Sequence, residues 1–171
     1  MAKIIPSIEQ CLKSKQAPTE GELFLLNYLA ENFDSEATVY FQPCINGLRP
    51  DIVIVKENTG AIIIEVKDWD LNSYYIDGDN NWNLTHKKVK LKSPQAQAFD
   101  YKKNIFDIQS RLLSERGTES SYFYDTISVF AYLHNATLYQ VKDFYAEPLR
   151  LNKEESNKIN ETYKSYTEQE K

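Results

Sequence analysis

The chain has 171 residues and a formal net charge of −5, with 42% of its residues hydrophobic and 26% charged. This balance predicts one soluble globular domain with a single sizeable core, and no stretch approaches the roughly 18 apolar residues of a membrane-spanning helix. The acidic charge argues against a general nucleic-acid binder, for which a basic domain is typical.

The amino-terminal part of the chain predicts a cytoplasmic protein. Residues 1–18 show weak periodicity, with one short helix predicted from Ser7 to Lys15, and no apolar core or cleavage site that would indicate a signal peptide. Cys11 and Cys44 are the two cysteines of the chain. They are too few for a Cys₄ iron–sulfur cluster, and a reduced, cytosolic environment is the simplest interpretation.

A clear helix is predicted to begin at Thr19, followed by an apolar stripe of Leu23, Leu26, Leu29 and Ala30. Glu22 lies three residues after Thr19, which is the spacing of a capping box. Gly21 in the first turn is a poor choice for helix stability alone. A structural capping role and a functional role of Glu22 therefore both stay open, with Glu20 as a substitute for the functional role.

The central feature of the sequence is a predicted β-hairpin that carries charges among buried residues. A strand is predicted over 39–41, and two β-branched runs over 52–55 and 61–67 form the hairpin around an Asn-Thr-Gly turn. If Val55 pairs with Ala61, the antiparallel register places Asp51 directly opposite Glu65, and Lys67 projects from the same face as Glu65. Because like charges in this position repel, a hard divalent cation such as Mg²⁺ is expected between the two carboxylates.

The segment after the hairpin is predicted to hold a short pair of strands and a basic stretch. Tyr74–Ile76 and Trp82–Leu84 form the pair around an Asp-Gly turn, and Trp82 is predicted to pack in a core. The basic residues can be either a solvated strand face or a phosphate-facing patch; those predicted to contact nucleic acid are Lys87, Lys88, Lys90, Lys92 and Lys102.

The second half of the chain alternates helix, strand and helix. Ser93 is a good N-cap with a proline after it, so a helix is predicted from Pro94 to about Leu113. Gln97 and Tyr101 are four residues apart and share one face of this helix. A strand over 127–133, expected at the centre of the sheet because of its continuous hydrophobicity, is followed by a helix over 138–145. Residues 151–171 are predicted to be a charged, polar tail or linker.

Four blocks of residues resemble a known family; in chain order they are Gly21-Glu22, Pro50-Asp51, Glu65-Val66-Lys67-Asp68-Trp69 and Ser93-Pro94-Gln95-Ala96-Gln97. Pro50-Asp51 followed by Glu65-Val66-Lys67 is similar to the PD-(D/E)XK nuclease motif. Gly21-Glu22 before the first long helix, Asp68-Trp69 after the hairpin, and Ser93-Pro94-Gln95-Ala96-Gln97 narrow the resemblance to the nuclease-related domain (NERD), especially the version that precedes superfamily I helicases. The resemblance covers roughly residues 19–135.

The resemblance implies an α/β fold with a restriction-endonuclease-like core, in which helices flank a mixed central β-sheet, within a domain of residues 19–150. It implies a site in which Mg²⁺ or Mn²⁺ is bound by Asp51, Glu65 and the backbone carbonyl of Val66. Glu22 would complete the metal shell directly or through water. Lys67 would orient the attacking water or stabilise charge on the phosphate. Gln97 and Tyr101 also resemble the Gln-x-x-x-Tyr motif of nuclease domains fused to recombination helicases, in which they support the active site and the nearby DNA backbone; the alternative is a polar residue and a half-buried tyrosine on an ordinary helix.

The predicted function is therefore a metal-dependent DNA nuclease with little sequence specificity, working with a helicase or in DNA repair or defence. The motifs do not separate a DNA substrate from RNA. The alternative is a catalytically silent module of the same fold that binds nucleic acid or a partner protein. The presence of Asp51, Glu65 and Lys67 favours catalysis, since a domain that has lost its activity in evolution usually also loses such costly buried charges.

Overall fold

The computed structural model describes residues 1–79, 81–114 and 124–146. They fall into two compact units, one formed by the described residues of Met1–Asp68 and Ser93–Asn135 and the other by those of Trp69–Lys92 and of 136–146. The predicted tail over 151–171 lies outside the described residues. None of the described helices is long and apolar enough to cross a membrane.

The described part of the chain contains eight β-strands together with α-helices and one 3₁₀ turn. In order, the elements are β1 (Lys3–Ile5), α1 (Ile8–Leu12), α2 (Glu20–Asn32), β2 (Ala37–Phe41), β3 (Ile52–Lys56), β4 (Gly60–Lys67), a 3₁₀ turn (Leu71–Ser73), β5 (Tyr74–Ile76), β6 (Trp82–Leu84), β7 (Lys87–Leu91), α3 (Pro94–Ser114) and β8 (Ile127–Leu133). Residues 138–146 form a further helix, α4.

The first unit is built on a mixed five-stranded sheet with the strand order β1-β2-β3-β4-β8. The outer pairs β1–β2 and β4–β8 are parallel, whereas β2–β3 and β3–β4 are antiparallel. This arrangement confirms the predicted α/β class with a mixed sheet flanked by helices. The prediction that strand 127–133 is central was wrong, because β8 lies at one edge of the described sheet, where Phe130 is 56% exposed.

The hairpin β3–β4 has the predicted register. Val55 pairs with Ala61, and the ladder extends by one further pair to Lys56 and Gly60. The turn is therefore three residues long, and Gly60 adopts a φ of +144°, with the carbonyl oxygen of Thr126 only 2.2 Å from the position a Cβ atom would take. Continuing this register past the start of β3 brings Asp51 opposite Glu65.

The two faces of the sheet bury different helices. On one face, Leu26 and Leu29 of α2 pack with Ile52 and Ile54. On the other face, Tyr101 of α3 packs with residues that include Val53 and Ile63. Because side chains alternate along a strand, Glu65 and Lys67 project from the same face as Ile63, the face that α3 covers.

The amino-terminal segment has more structure than its pattern predicted. It contains β1, a strand of three residues that pairs in parallel with β2. Helix α1 is also shorter than predicted: Ser7 is its N-cap and Leu12 its last residue. A strand this short has too few residues to show a period of two, and its stability comes from pairing with a segment more than 30 residues away.

The second unit contains the antiparallel sheet β5-β6-β7. The predicted pairing of Tyr74–Ile76 with Trp82–Leu84 is confirmed. Trp82 is 1% exposed, and its ring lies near those of Trp69, Tyr74 and Phe144 of α4. Trp82 is thus the packing residue that its sequence context predicted.

Candidate active site

The paired carboxylates Asp51 and Glu65 form the centre of the candidate site. Asp51 lies just before β3, after the buried Pro50, and Glu65 lies in β4 with 1% of its surface exposed. Asp51 Oδ2 accepts a hydrogen bond from the Val66 N–H at 2.8 Å. The carboxylate of Asp51 is thereby attached to the strand that carries Glu65.

Lys67 compensates for part of the negative charge. Its ammonium group forms an ion pair with Glu65 Oε1, and its side chain is 18% exposed. The second oxygen, Glu65 Oε2, is buried and accepts no hydrogen bond from the part of the chain that the structure describes. A buried carboxylate oxygen without a donor is unfavourable, and a cation would satisfy it.

The electrostatics of Asp51 show how strongly negative the site is. Burial raises the pKa of Asp51 to about 7, and the charges of Glu65 and Glu22 raise it as well, against the opposing effects of the Val66 N–H and of Lys67. Without a cation, the site therefore favours the protonated form of the Asp51 carboxyl more than water does. A divalent ion at this place would favour the ionised carboxylate and reverse the effect.

Glu22 has the structural capping role that its spacing from Thr19 predicted, and it also lies close enough to Asp51 to affect the pKa of that residue. In the capping box of α2, Glu22 Oε2 accepts from the Thr19 N–H at 2.7 Å, and Thr19 Oγ1 accepts from the Glu22 N–H at 3.3 Å. The carboxylate is nevertheless 4% exposed and acts on the pKa of Asp51. Glu22 is thus a helix cap that also belongs to the electrostatic environment of the site.

Gln97 and Tyr101 lie on one face of α3, as predicted. Gln97 Nε2 donates to the Tyr101 hydroxyl at 2.8 Å, and Tyr101 is 8% exposed. Burial raises the pKa of Tyr101, and the charges of Glu65 and Asp51 raise it further, while the bond from Gln97 opposes them. Tyr101 therefore lies close enough to the paired carboxylates for their charges to act on its hydroxyl group.

The predicted basic residues lie in two different units. Lys87 and Lys90 are exposed on β7, and Lys92 follows that strand, all in the second unit. The backbone of Lys88 also belongs to β7, but its side chain lies outside the described structure. Lys102 belongs to α3 in the first unit, where its ammonium group lies 3.9 Å from the centre of the Tyr124 ring. A nucleic-acid contact of these residues stays a prediction.

The contacts of two residues beside the site were not predicted from the sequence, although the first of them, Asp68, belongs to one of the motif blocks. Asp68 Oδ2 accepts a hydrogen bond from the Gly21 N–H at 3.2 Å. A Cβ atom on Gly21 would lie 2.0 Å from Asp68 Oδ1 and 2.7 Å from the Cβ of His134. Close approach of the chain after β4 therefore explains the glycine in the first turn of α2, the one signal of this contact in the sequence.

Gln42 is the second residue that the sequence did not reveal. Its backbone N–H donates to the Asp51 carbonyl oxygen at 2.8 Å, and its side-chain Nε2 donates to Glu22 Oε1 at 3.0 Å. It contacts both residues although it lies outside every motif block. A polar residue after a short strand gives no signal of such contacts.

The donor set fits a magnesium-type ion bound with few protein ligands. Within the described residues, no three His, Cys, Asp or Glu side chains converge closely enough to hold a metal ion by themselves. Mg²⁺ typically takes one or two carboxylates and completes its shell with water and substrate phosphate. The pair of Asp51 and Glu65, with the buried Oε2 of Glu65 lacking a donor, is compatible with this mode of binding.

A comparison with protein-family models adds independent information. The model described as nuclease-related domain, NERD, matches residues 17–131, more than half of the chain. The resemblance inferred from the motifs is thereby confirmed over nearly the same span. No curated protein and no solved structure matches the chain significantly.

Proposed function

The chain belongs to the nuclease-related domain family, within the PD-(D/E)XK superfamily, and on this premise we propose that it is a metal-dependent nuclease that hydrolyses phosphodiester bonds in DNA. The main support is the buried pair of Asp51 and Glu65 with Lys67 beside it. Burial of two carboxylates opposite each other is unfavourable, and two carboxylates with a lysine beside them are the groups that the nuclease motif uses for phosphodiester hydrolysis.

Asp51 and Glu65 would hold Mg²⁺ or Mn²⁺ together with the Val66 carbonyl. In a strand, the N–H and C=O of one residue point to the same neighbour, so donation of the Val66 N–H to Asp51 supports a carbonyl that faces the same side. A bound divalent ion would supply a lowered water pKa and polarisation of the phosphate. The protein's part is to hold both carboxylates in a partly buried place opposite each other, where a bound ion would favour their ionised forms.

Lys67 would act on the charge that develops at the phosphate. Its ammonium group is held by Glu65, which restricts it to the side of the paired carboxylates. A fixed positive charge in a partly water-excluded place stabilises a transition state more than the ground state. Lys67 thus provides electrostatic stabilisation and orients the attacking water, rather than acting as general base.

The remaining predicted residues would support this centre. Both Glu22 oxygens already accept hydrogen bonds, so Glu22 acts on the metal shell through water. Gln97 would orient the Tyr101 hydroxyl group, which lies close enough to Glu65 and Asp51 for their charges to act on it. These roles make Gln97 a positioning residue, with its effect transmitted through the tyrosine hydroxyl.

We assign the activity to the domain of residues 19–150, with DNA bound without marked sequence specificity and with Lys87, Lys88, Lys90, Lys92 and Lys102 as backbone contacts. An RNA substrate would use the same site. A helicase domain or subunit that supplies unwound DNA is the partner that this activity suggests. A cytoplasmic location agrees with a nucleic-acid substrate.

The test is Lys67→Ala, assayed for Mn²⁺ binding by calorimetry and for cleavage of plasmid and single-stranded DNA. Removing one transition-state donor costs about 10²–10³ in rate, whereas binding of Mn²⁺ and DNA should change little. Lys67→Arg should recover little activity, because a planar guanidinium does not replace a compact point charge. The matched control is Lys13→Ala, which removes another lysine paired with a glutamate, Glu9, on the exposed surface of α1.

Cleavage that persists within a few-fold in Lys67→Ala would show that the activity arises elsewhere. A wild-type protein that binds DNA but cleaves neither duplex, single-stranded DNA nor RNA with Mg²⁺ or Mn²⁺ would support the silent binding module instead. In that case Lys67→Ala should weaken nucleic-acid binding modestly and reduce the salt dependence by about one unit.

A further inference from the structure

Gln42 occupies a strained backbone position beside the paired carboxylates. It directly follows β2, and its φ of 45° lies in the left-handed region, which residues other than glycine seldom adopt. The conformation is held from both sides, because its N–H donates to the Asp51 carbonyl oxygen at 2.8 Å and its own carbonyl accepts from Arg49 Nε at 3.3 Å. Strain of this kind persists where the surrounding structure enforces it, often at functional sites.

The side-chain amide of Gln42 has one satisfied end and one unsatisfied end. Nε2 donates to Glu22 Oε1 at 3.0 Å, and since a carboxylate only accepts, this contact determines which way the amide is turned. Oε1 therefore faces away from Glu22. It is buried and accepts no hydrogen bond from the residues that the structure describes.

A buried amide oxygen without a donor is unfavourable, so the position of Oε1 needs a molecule that donates. The neighbouring carboxylate of Glu22 does not supply this donor, because both of its oxygens already accept hydrogen bonds, one from the Thr19 N–H and one from Gln42 Nε2. A water molecule offers two donors and can therefore satisfy Gln42 Oε1 and a carboxylate at the same time.

We propose that Gln42 is a positioning residue of the site: its Nε2 holds the Glu22 carboxylate, and its Oε1 accepts a hydrogen bond from a water molecule next to the paired carboxylates. This inference rests on the proposed function, because such a water takes part in the reaction only if the site binds a cation and cleaves phosphodiesters. Gln42 then orients the water without touching the phosphate.

The deciding variant is Gln42→Asn. Asparagine tolerates the left-handed region better than most residues, so the backbone is preserved, but the side chain is one methylene shorter and loses its contact with Glu22. We expect a melting temperature at or above that of the wild type. Affinity for Mn²⁺, measured by calorimetry, should fall about tenfold, and single-turnover cleavage of plasmid DNA about 10- to 100-fold, as for other residues that orient the surroundings of a metal.

The matched control is Gln16→Asn. Gln16 also makes a side-chain hydrogen bond in this region, by accepting from Arg49 Nη1 at 2.6 Å, but it is exposed. This control should bind Mn²⁺ and cleave DNA like the wild type. If Gln42→Asn fails to fold, Gln42→Gly, which accepts the positive φ without strain, must show the same losses.

Wild-type Mn²⁺ affinity and cleavage in a folded Gln42→Asn would overturn the proposal. The proposal would also be overturned if both Gln42 variants lost Mn²⁺ binding together with a lowered melting temperature, since a purely structural role of Gln42 would give that result. Failure of the proposed function looks different: the wild-type protein itself would then neither bind Mn²⁺ nor cleave DNA.

Discussion

Replacing Asp51 by asparagine should make the metal-free protein more stable at neutral and alkaline pH. Asparagine resembles the protonated carboxyl in shape and still accepts the hydrogen bond from the Val66 N–H. It removes the negative charge that lies buried opposite Glu65. Removing this repulsion should stabilise the folded protein by more than the loss of the carboxylate destabilises it. When metal is absent, Lys67 is the one counter-ion of the pair among the described residues.

The size of the effect follows from the pKa of Asp51. Burial and the charges of Glu65 and Glu22 raise it from 3.8 to about 7 in the folded protein. The folded state therefore holds the proton more tightly than the unfolded state, so the contribution of this group to stability is present below about pH 4 and is lost as the pH rises to about 7. At 1.36 kcal/mol per pKa unit, a shift of about 3 units corresponds to at most about 4 kcal/mol.

The assay is urea unfolding of wild type and Asp51→Asn in chelator-containing buffer from pH 4 to pH 8. The difference in unfolding free energy between the two proteins should be near zero at pH 4 and should reach up to about 4 kcal/mol in favour of the variant at pH 8. Adding Mn²⁺ at about 100 times its dissociation constant, in buffer without chelator, should stabilise the wild type by about 2.7 kcal/mol and leave Asp51→Asn unchanged.

The matched control is Glu57→Gln, which neutralises an exposed carboxylate in the turn of the same hairpin. It should follow the wild-type curve at every pH. Parallel pH–stability curves for wild type and Asp51→Asn would refute the reasoning, because they would mean that Asp51 is not destabilised by burial and by Glu65. Equal stabilisation of both proteins by Mn²⁺ would place the cation elsewhere.

Two further substitutions test the surroundings of the site. Glu22→Gln should fold with nearly wild-type thermal stability, because glutamine also serves in a capping box, but cleavage should fall at least about tenfold; full activity would leave Glu22 with a capping role alone. Gly21→Ala should lower the unfolding free energy by about 1–3 kcal/mol in spite of the better helix propensity of alanine, because its Cβ would lie 2.0 Å from Asp68 Oδ1. Stability equal to or above that of wild type in urea unfolding would contradict that contact.

Local patterns in the sequence were sufficient where an interaction is settled by neighbours along the chain. The capping box joins residues three apart, Thr19 and Glu22, and the pair Gln97 and Tyr101 lies one helical turn apart. The register of the hairpin could be predicted from the turn, because one pair of opposite residues near the turn, Val55 and Ala61, determines every other pair in the ladder. The apposition of Asp51 and Glu65, and hence the candidate metal site, could therefore be predicted from the sequence.

Interactions between distant segments depended on the tertiary structure. The continuous hydrophobicity of β8 predicted a place at the centre of the sheet, but β8 lies at an edge of the described sheet. The place of a strand in the sheet depends on how the connections between strands cross it, and this cannot be inferred from the residue types of the strand itself. The contact of Gly21 with Asp68 joins residues 47 positions apart. The sequence showed only an unexplained glycine in a helix.

Gln42 shows the limit most clearly. Its strained φ is imposed by hydrogen bonds with Asp51 and Arg49, and the orientation of its amide is imposed by Glu22, which lies 20 residues earlier in the chain. The sequence by itself determined the two carboxylates, the lysine and the strands that pair them, because charge, alternation and turn length are local properties. Only the tertiary structure decided which uncharged side chain completes their surroundings, since any polar residue brought there by packing could make those bonds.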